Sequence, residues 1–93
     1  MKALTEVEIA AFVDGHPNWQ FIDGVLTREW KFPDFVTAMS FVNRVAQLAE
    51  EAQHHPDIDI RYNRVKLALV SHDAGGITAR DARMSERLNS LVL

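Results

Sequence analysis

Three of the four histidines in this chain fall in two short polar segments: His54-His55, closed by Pro56, and His72-Asp73. Imidazole is the side chain that exchanges a proton near neutral pH without help from its surroundings. Gathering it this way in 93 residues points to acid–base chemistry. Two other readings stand beside that one. Three histidines could hold zinc, but adjacent His54 and His55 point apart in extended chain, and no HxH or HxxxH spacing joins them on one ion. They could also be structural, capping carbonyls or lending polarity to the surface. Acid–base catalysis or the binding of a polar ligand is the reading that uses all three.

The elements around these residues decide whether they can meet. Pro56 disfavours helical geometry at His55, so the helix before it ends near Gln53. His54 and His55 then lie just past a helix C-terminus, where the dipole favours positive charge. Residues 58–62 and 65–71 alternate on either side of Asn63-Arg64 and read as a β-hairpin. The start of its first strand lies beside the end of its second, which brings His72 near His54 and His55.

Further out, Thr5-Glu6-Val7-Glu8 is a capping box, with Leu4 and Ile9 placed as a hydrophobic staple. The helix it opens runs to about Val13 and stops at Asp14-Gly15. Trp19–Ile22 and Val25–Phe32 are strands joined by a turn at Asp23-Gly24. Pro33-Asp34 starts a long helix, with proline in its first turn, running to about Ala52. Phe35, Met39, Val42, Ala46 and Ala49 form one apolar stripe on it; Phe41, Val45, Leu48 and Ala52 form a second. One stripe suffices to sit on a sheet, so the second is either a wide core contact or, as expected for so small a domain, a subunit interface. After Gly75-Gly76, Thr78 caps a last helix with Asp81 at N3, and Met84, Leu88 and Leu91 line its buried face. The order α-β-β-α-β-β-α predicts an α+β fold: a four-stranded antiparallel sheet with helices packed on one face. His16, Trp19, Trp30 and the Gly75-Gly76 pair read as structural.

Composition bounds the rest. Residues 1–93 have room for one core and read as a single domain. A net charge of −3 with dispersed Lys and Arg speaks against nucleic acid as a partner. No apolar run approaches the roughly 20 residues of a membrane span, and the leading segment MKALTEVEIA carries acids where a signal peptide would not, so the expected location is cytoplasmic. Without cysteine there are no disulfides or thiolate metal sites.

At the residues singled out, the sequence closely resembles the pterin-4a-carbinolamine dehydratases. The match runs through Glu50-Glu51-Ala52-Gln53-His54-His55-Pro56-Asp57, Tyr62-Asn63-Arg64-Val65 and Ser71-His72-Asp73, then Gly76-Ile77-Thr78 and Arg80-Asp81. Phe32-Pro33-Asp34-Phe35 and Trp19 also fit, so the likeness spans about Leu4 to Leu91. Two positions depart from the pattern: Gln53 stands where many relatives carry an acid, and Ile58 where many carry an aromatic.

The resemblance implies a hydro-lyase that dehydrates 4a-hydroxytetrahydropterin, such as 4a-hydroxytetrahydrobiopterin, to the quinonoid dihydropterin. No metal or organic cofactor is implied. His54, His55 and His72 fall on the family's essential histidines. Dehydration needs a proton for the departing hydroxyl and a base for the one on N5. That chemistry suggests His54 and His72 as the acid–base groups and His55 as the residue that orients the pterin. Glu50, Gln53, Ser71, Asp73 and Arg80 are the substrate-binding positions it implies. The implied partners are the pterin, further copies of the chain in a homodimer or homotetramer, and an aromatic amino-acid hydroxylase. The alternative it implies is a non-catalytic role as a dimerisation partner of a transcription factor or pterin enzyme.

Overall fold

The computed structural model describes residues 2–91. Both Thr-x-x-acid patterns form reciprocal caps. Thr5 accepts from the Glu8 backbone N–H at 3.2 Å while the Glu8 carboxylate accepts from the Thr5 N–H at 2.9 Å, opening α1 (Glu6–Gly15). Leu4 and Ile9 flank this cap and pack into the core. The helix continues past the expected stop at Val13. His16 closes it, donating its backbone N–H to Val13 O and stacking its ring on Phe12 at 3.9 Å.

Strands β1 (Gln20–Ile22) and β2 (Val25–Lys31) meet at Asp23-Gly24, both at positive φ, as a two-residue hairpin turn requires. Helix α2 (Phe35–Ala52) starts one step later than the proline suggested. Asp34 is the N-cap, accepting from the Thr37 N–H at 2.8 Å, and Pro33 lies outside the helix. Its buried positions are Ala38, Phe41, Val42, Val45, Leu48 and Ala49. The stripe through Phe41, Val45 and Leu48 thus sits on the sheet, with Val42 and Ala49 drawn in from the other stripe. Phe35 and Ala46 remain exposed.

Strands β3 (Asp57–Arg61) and β4 (Arg64–Leu69) form the second hairpin. Its turn is Tyr62-Asn63, one residue before the expected Asn63-Arg64, because Arg61 pairs with Arg64. Asn63 is fixed there by Phe32: its Nδ2 donates to Phe32 O, and Phe32 N–H donates to Asn63 O, both at 2.8 Å. Tyr62 takes the positive φ of 56° that this turn demands.

The four strands make one antiparallel sheet in the order β1-β2-β4-β3. Directly paired residues share a face, so Leu26↔Leu69 and Trp30↔Val65 lie together beneath the helices, with Leu67 between. Glu29, Lys31, Arg64 and Lys66 alternate onto the other face. This is the α+β arrangement expected. A 3₁₀ turn (His72–Ala74) not foreseen in the sequence follows β4. Helix α3 (Ala79–Asn89) then closes the structure behind the Thr78–Asp81 capping box. Met84 and Leu88 are buried; Leu91 packs on the core from beyond the helix end. Asn89 Oδ1 accepts from Trp19 Nε1 (2.8 Å) and Arg28 Nη1 (2.6 Å), tying the end of α3 to the sheet. Among the described residues no helix is long and apolar enough to cross a membrane.

Candidate active site

The pairing Asp57↔Ala68 at the open end of the second hairpin sets the chain leaving α2 beside the chain leaving β4. Gln53 ends α2 in the left-handed conformation (φ 52°, ψ 41°), and the His54 N–H donates back to Ala49 O at 3.1 Å. That reversal turns His54 inward, where it is 8% exposed, and leaves His55 outside.

Buried His54 has a buried partner. Its Nε2 lies 2.6 Å from Oδ1 of Asp81, a carboxylate with no solvent exposure. The other oxygen, Oδ2, accepts from Ser71 Oγ at 2.8 Å and from the Thr78 backbone N–H at 2.9 Å. Ser71 Oγ and Thr78 Oγ1 are 2.9 Å apart, which joins the hydroxyls to the same network. A carboxylate this buried is tolerable only with its lone pairs filled. Asp81 therefore both caps α3 and orients the imidazole. An ionised carboxylate only accepts, so the bond puts a proton on Nε2 and leaves Nδ1 of a neutral His54 free to accept one. No described residue bonds Nδ1.

The network also anchors the segment carrying His72. Ser71 N–H donates to Gly76 O (3.0 Å) and Gly76 N–H to Ser71 O (3.3 Å), closing a loop over the 3₁₀ turn. His72 projects from that turn into solvent. His55 Nε2 is 2.5 Å from Glu50 Oε2 on the exposed end of α2, and Gln53 Nε2 donates to Glu50 O at 2.6 Å. Arg80 Nη2 donates to both oxygens of Asp73 at 3.0 Å. The guanidinium holds the Asp73 carboxyl below its usual range. Of the eight residues singled out, His54 and Ser71 share the buried network. Glu50, Gln53 and His55 cluster at the helix end, Asp73 and Arg80 pair on the α3 side, and the His72 ring makes no hydrogen bond to a described residue. Ser71 faces inward, so it positions other groups.

A cavity of about 240 Å³ opens against His54, lined by Ala52, Arg80, Arg83, Met84 and Arg87. Larger hollows lie between α1 and β1 and beside β2 and α2, and no histidine lines either.

The family model for pterin 4 alpha carbinolamine dehydratase matches residues 2–91. The chain belongs to that family. Bacterial relatives named "putative pterin-4-alpha-carbinolamine dehydratase" include one from Thermomicrobium roseum, 50% identical over 98% of each chain. Another, from Acidobacterium capsulatum, is 50% identical over 99% of this chain and all of its own. A crystal structure of a Brucella melitensis protein described as a transcriptional coactivator/pterin dehydratase superposes with a TM-score of 0.92. It is 35% identical and covers 99% of this chain and 100% of its own. A pterin dehydratase-like protein described as a RuBisCO assembly factor shares the fold alone, at 22% identity and a TM-score of 0.65 over 78% of this chain and 84% of its own.

Within this dehydratase-family chain, Asp81 is the residue that sequence reasoning placed only as a helix cap. The signal that could have found it was its type. An acid at N3 can spare one oxygen for a neighbour, and the Arg80-Asp81 pair stood in the family match.

Proposed function

We propose that this chain dehydrates a 4a-hydroxytetrahydropterin to the quinonoid dihydropterin and water, as a step in recycling the cofactor of aromatic amino-acid hydroxylases. The observation that carries this reading is an imidazole oriented by a buried carboxylate, with its second nitrogen unbonded, beside an open cavity in a chain of this family. In the reaction the N5 lone pair forms the C4a=N5 bond as the C4a–O bond breaks. The departing hydroxyl takes a proton from an acid and leaves as water, and the proton on N5 passes to a base. His54 serves one of these transfers through Nδ1, with Asp81 steadying the charge that appears on the ring. His72 serves the other, and His55, held by Glu50, orients the pterin. General acid–base help of this kind contributes roughly 10²–10⁴-fold.

Stopped-flow ultraviolet absorbance of freshly generated 4a-hydroxytetrahydropterin tests this reading. The protein should speed its decay to the quinonoid product; a rate equal to the uncatalysed one, with folded protein, overturns it.

A binding role with a transcription factor or pterin enzyme is the second reading. The Brucella relative is described in both terms, and Phe35 and Val36 stand 49% and 73% exposed at the start of α2. The same residues are where copies of the chain would meet in a homodimer or homotetramer. Gel filtration at micromolar concentration giving a monomer mass would remove that assembly, and a stoichiometric protein partner without dehydratase activity would favour the second reading.

A further inference from the structure

The cavity beside His54 is cationic in a chain that is acidic overall. Arg80, Arg83 and Arg87 lie at i, i+3 and i+7 on α3, within about 60° of one another around its axis, and all three line it. Of these three arginines, only Arg80 has an ion-pair partner among the described residues: Asp73, reached through Nη2. Its Nε is sealed from solvent without an acceptor. Arg83 and Arg87 are exposed and form no ion pair with a described residue. The acids nearby leave these two unpaired. Asp81 is closed inside the His54 network, and Glu51, which shares the adjoining hollow with Arg87 and Arg44, forms no ion pair with a described residue.

Like charges side by side on a helix destabilise it unless something offsets them. A guanidinium matches the oxygens of a phosphate or carboxylate better than any other side chain does. At about 240 Å³ the cavity is smaller than the roughly 300–1,000 Å³ that encloses a whole ligand, so it suits one part of a molecule held beside His54. We infer that this recess binds an oxyanion, and that the pterin taken by the site carries one, phosphate or carboxylate, on its side chain. The identity of the ring rests on the dehydratase reading; the anion subsite rests on the three arginines.

The test compares 4a-hydroxytetrahydropterins bearing hydroxymethyl and phosphooxymethyl groups at C6, with wild type and the Arg83→Gln/Arg87→Gln double variant. Wild type should prefer the phosphorylated substrate by roughly 10-fold or more in kcat/KM, the effect of a charge-assisted contact. The preference should shrink with added salt and collapse in the double variant. Arg61→Gln, on the opposite face of the sheet, should keep it. Equal kcat/KM for the two substrates in wild type, or a preference that survives in the double variant, overturns the inference.

Inorganic phosphate titrated into ¹⁵N-labelled protein supplies the arm independent of catalysis. It should shift the Arg83 and Arg87 side-chain resonances, and competitive inhibition by the same phosphate would show that a free anion also occupies the recess. If wild type dehydrates neither pterin, the dehydratase reading fails. The recess then stands on the phosphate shifts and falls if they are absent.

Discussion

Replacing Asp81 with asparagine keeps the shape of the buried network and changes only what its atoms can donate and accept. The three groups around the carboxylate all donate: His54 Nε2 at 2.6 Å on Oδ1, Ser71 Oγ at 2.8 Å and the Thr78 N–H at 2.9 Å on Oδ2. The backbone N–H cannot become an acceptor, so the amide oxygen must face Thr78 and the amide nitrogen must face His54. Nε2 is then forced to accept, and the imidazole proton moves to Nδ1. A neutral His54 in that tautomer has no free lone pair on the unbonded side. All three hydrogen bonds can persist, but each loses the charge on its acceptor or exchanges its donor, which should cost about 1–2 kcal/mol of stability. Activity should fall by the roughly 10²–10⁴-fold that a positioned acid–base group provides. The same carboxylate-to-amide change behind a catalytic imidazole costs about 10⁴ in kcat in serine proteases. Long-range ¹H–¹⁵N correlations of the imidazole give the tautomer, urea melts the stability, and stopped-flow absorbance the rate. A folded Asp81→Asn protein with an unchanged tautomer, or with the wild-type rate, would refute the reasoning.

Three further outcomes follow from the same structure. Leu67→Ala, at a fully buried position of β4, should lower stability by about 2–5 kcal/mol in urea unfolding. Gly24→Ala, at φ +82° in the first turn with open space around the added carbon, should cost about 1–2 kcal/mol through backbone conformation alone, read as a lower Tm without aggregation. The Asp73 carboxyl sits below its usual range because Arg80 donates to it, so its contribution to folding is complete above the unfolded value of about 4 and is lost as pH falls through the lower folded value. A ¹³C titration of Asp73 should show this depressed midpoint, and Arg80→Gln should return it towards the ordinary carboxylate value.

Most of the frame could be read from local chemistry. The caps at Thr5 and Thr78 and the Asp23-Gly24 turn are short-range patterns whose partners lie within a few residues, and each forms as expected. The second hairpin, which sets the chain leaving α2 beside the chain leaving β4, follows from alternation. Where the reading slipped, a distant contact had decided the outcome. The second turn sits at Tyr62-Asn63 because Asn63 bonds Phe32, which is 31 residues away. A bulky residue at positive φ is not what turn preferences suggest. The 3₁₀ turn at His72 has too few residues to show a period. The inward turn of His54 depends on Gln53 adopting a left-handed conformation that favours glycine. The bond to Asp81 joins positions 27 residues apart, which no local pattern reports.

The central claim is that His54, oriented by Asp81, moves a proton during pterin dehydration. Its most direct test is stopped-flow decay of 4a-hydroxytetrahydropterin with wild type and His54→Ala side by side, both checked for native fold. The account predicts acceleration by wild type and a loss of roughly 10²-fold or more in the variant. A variant that matches wild type would contradict it.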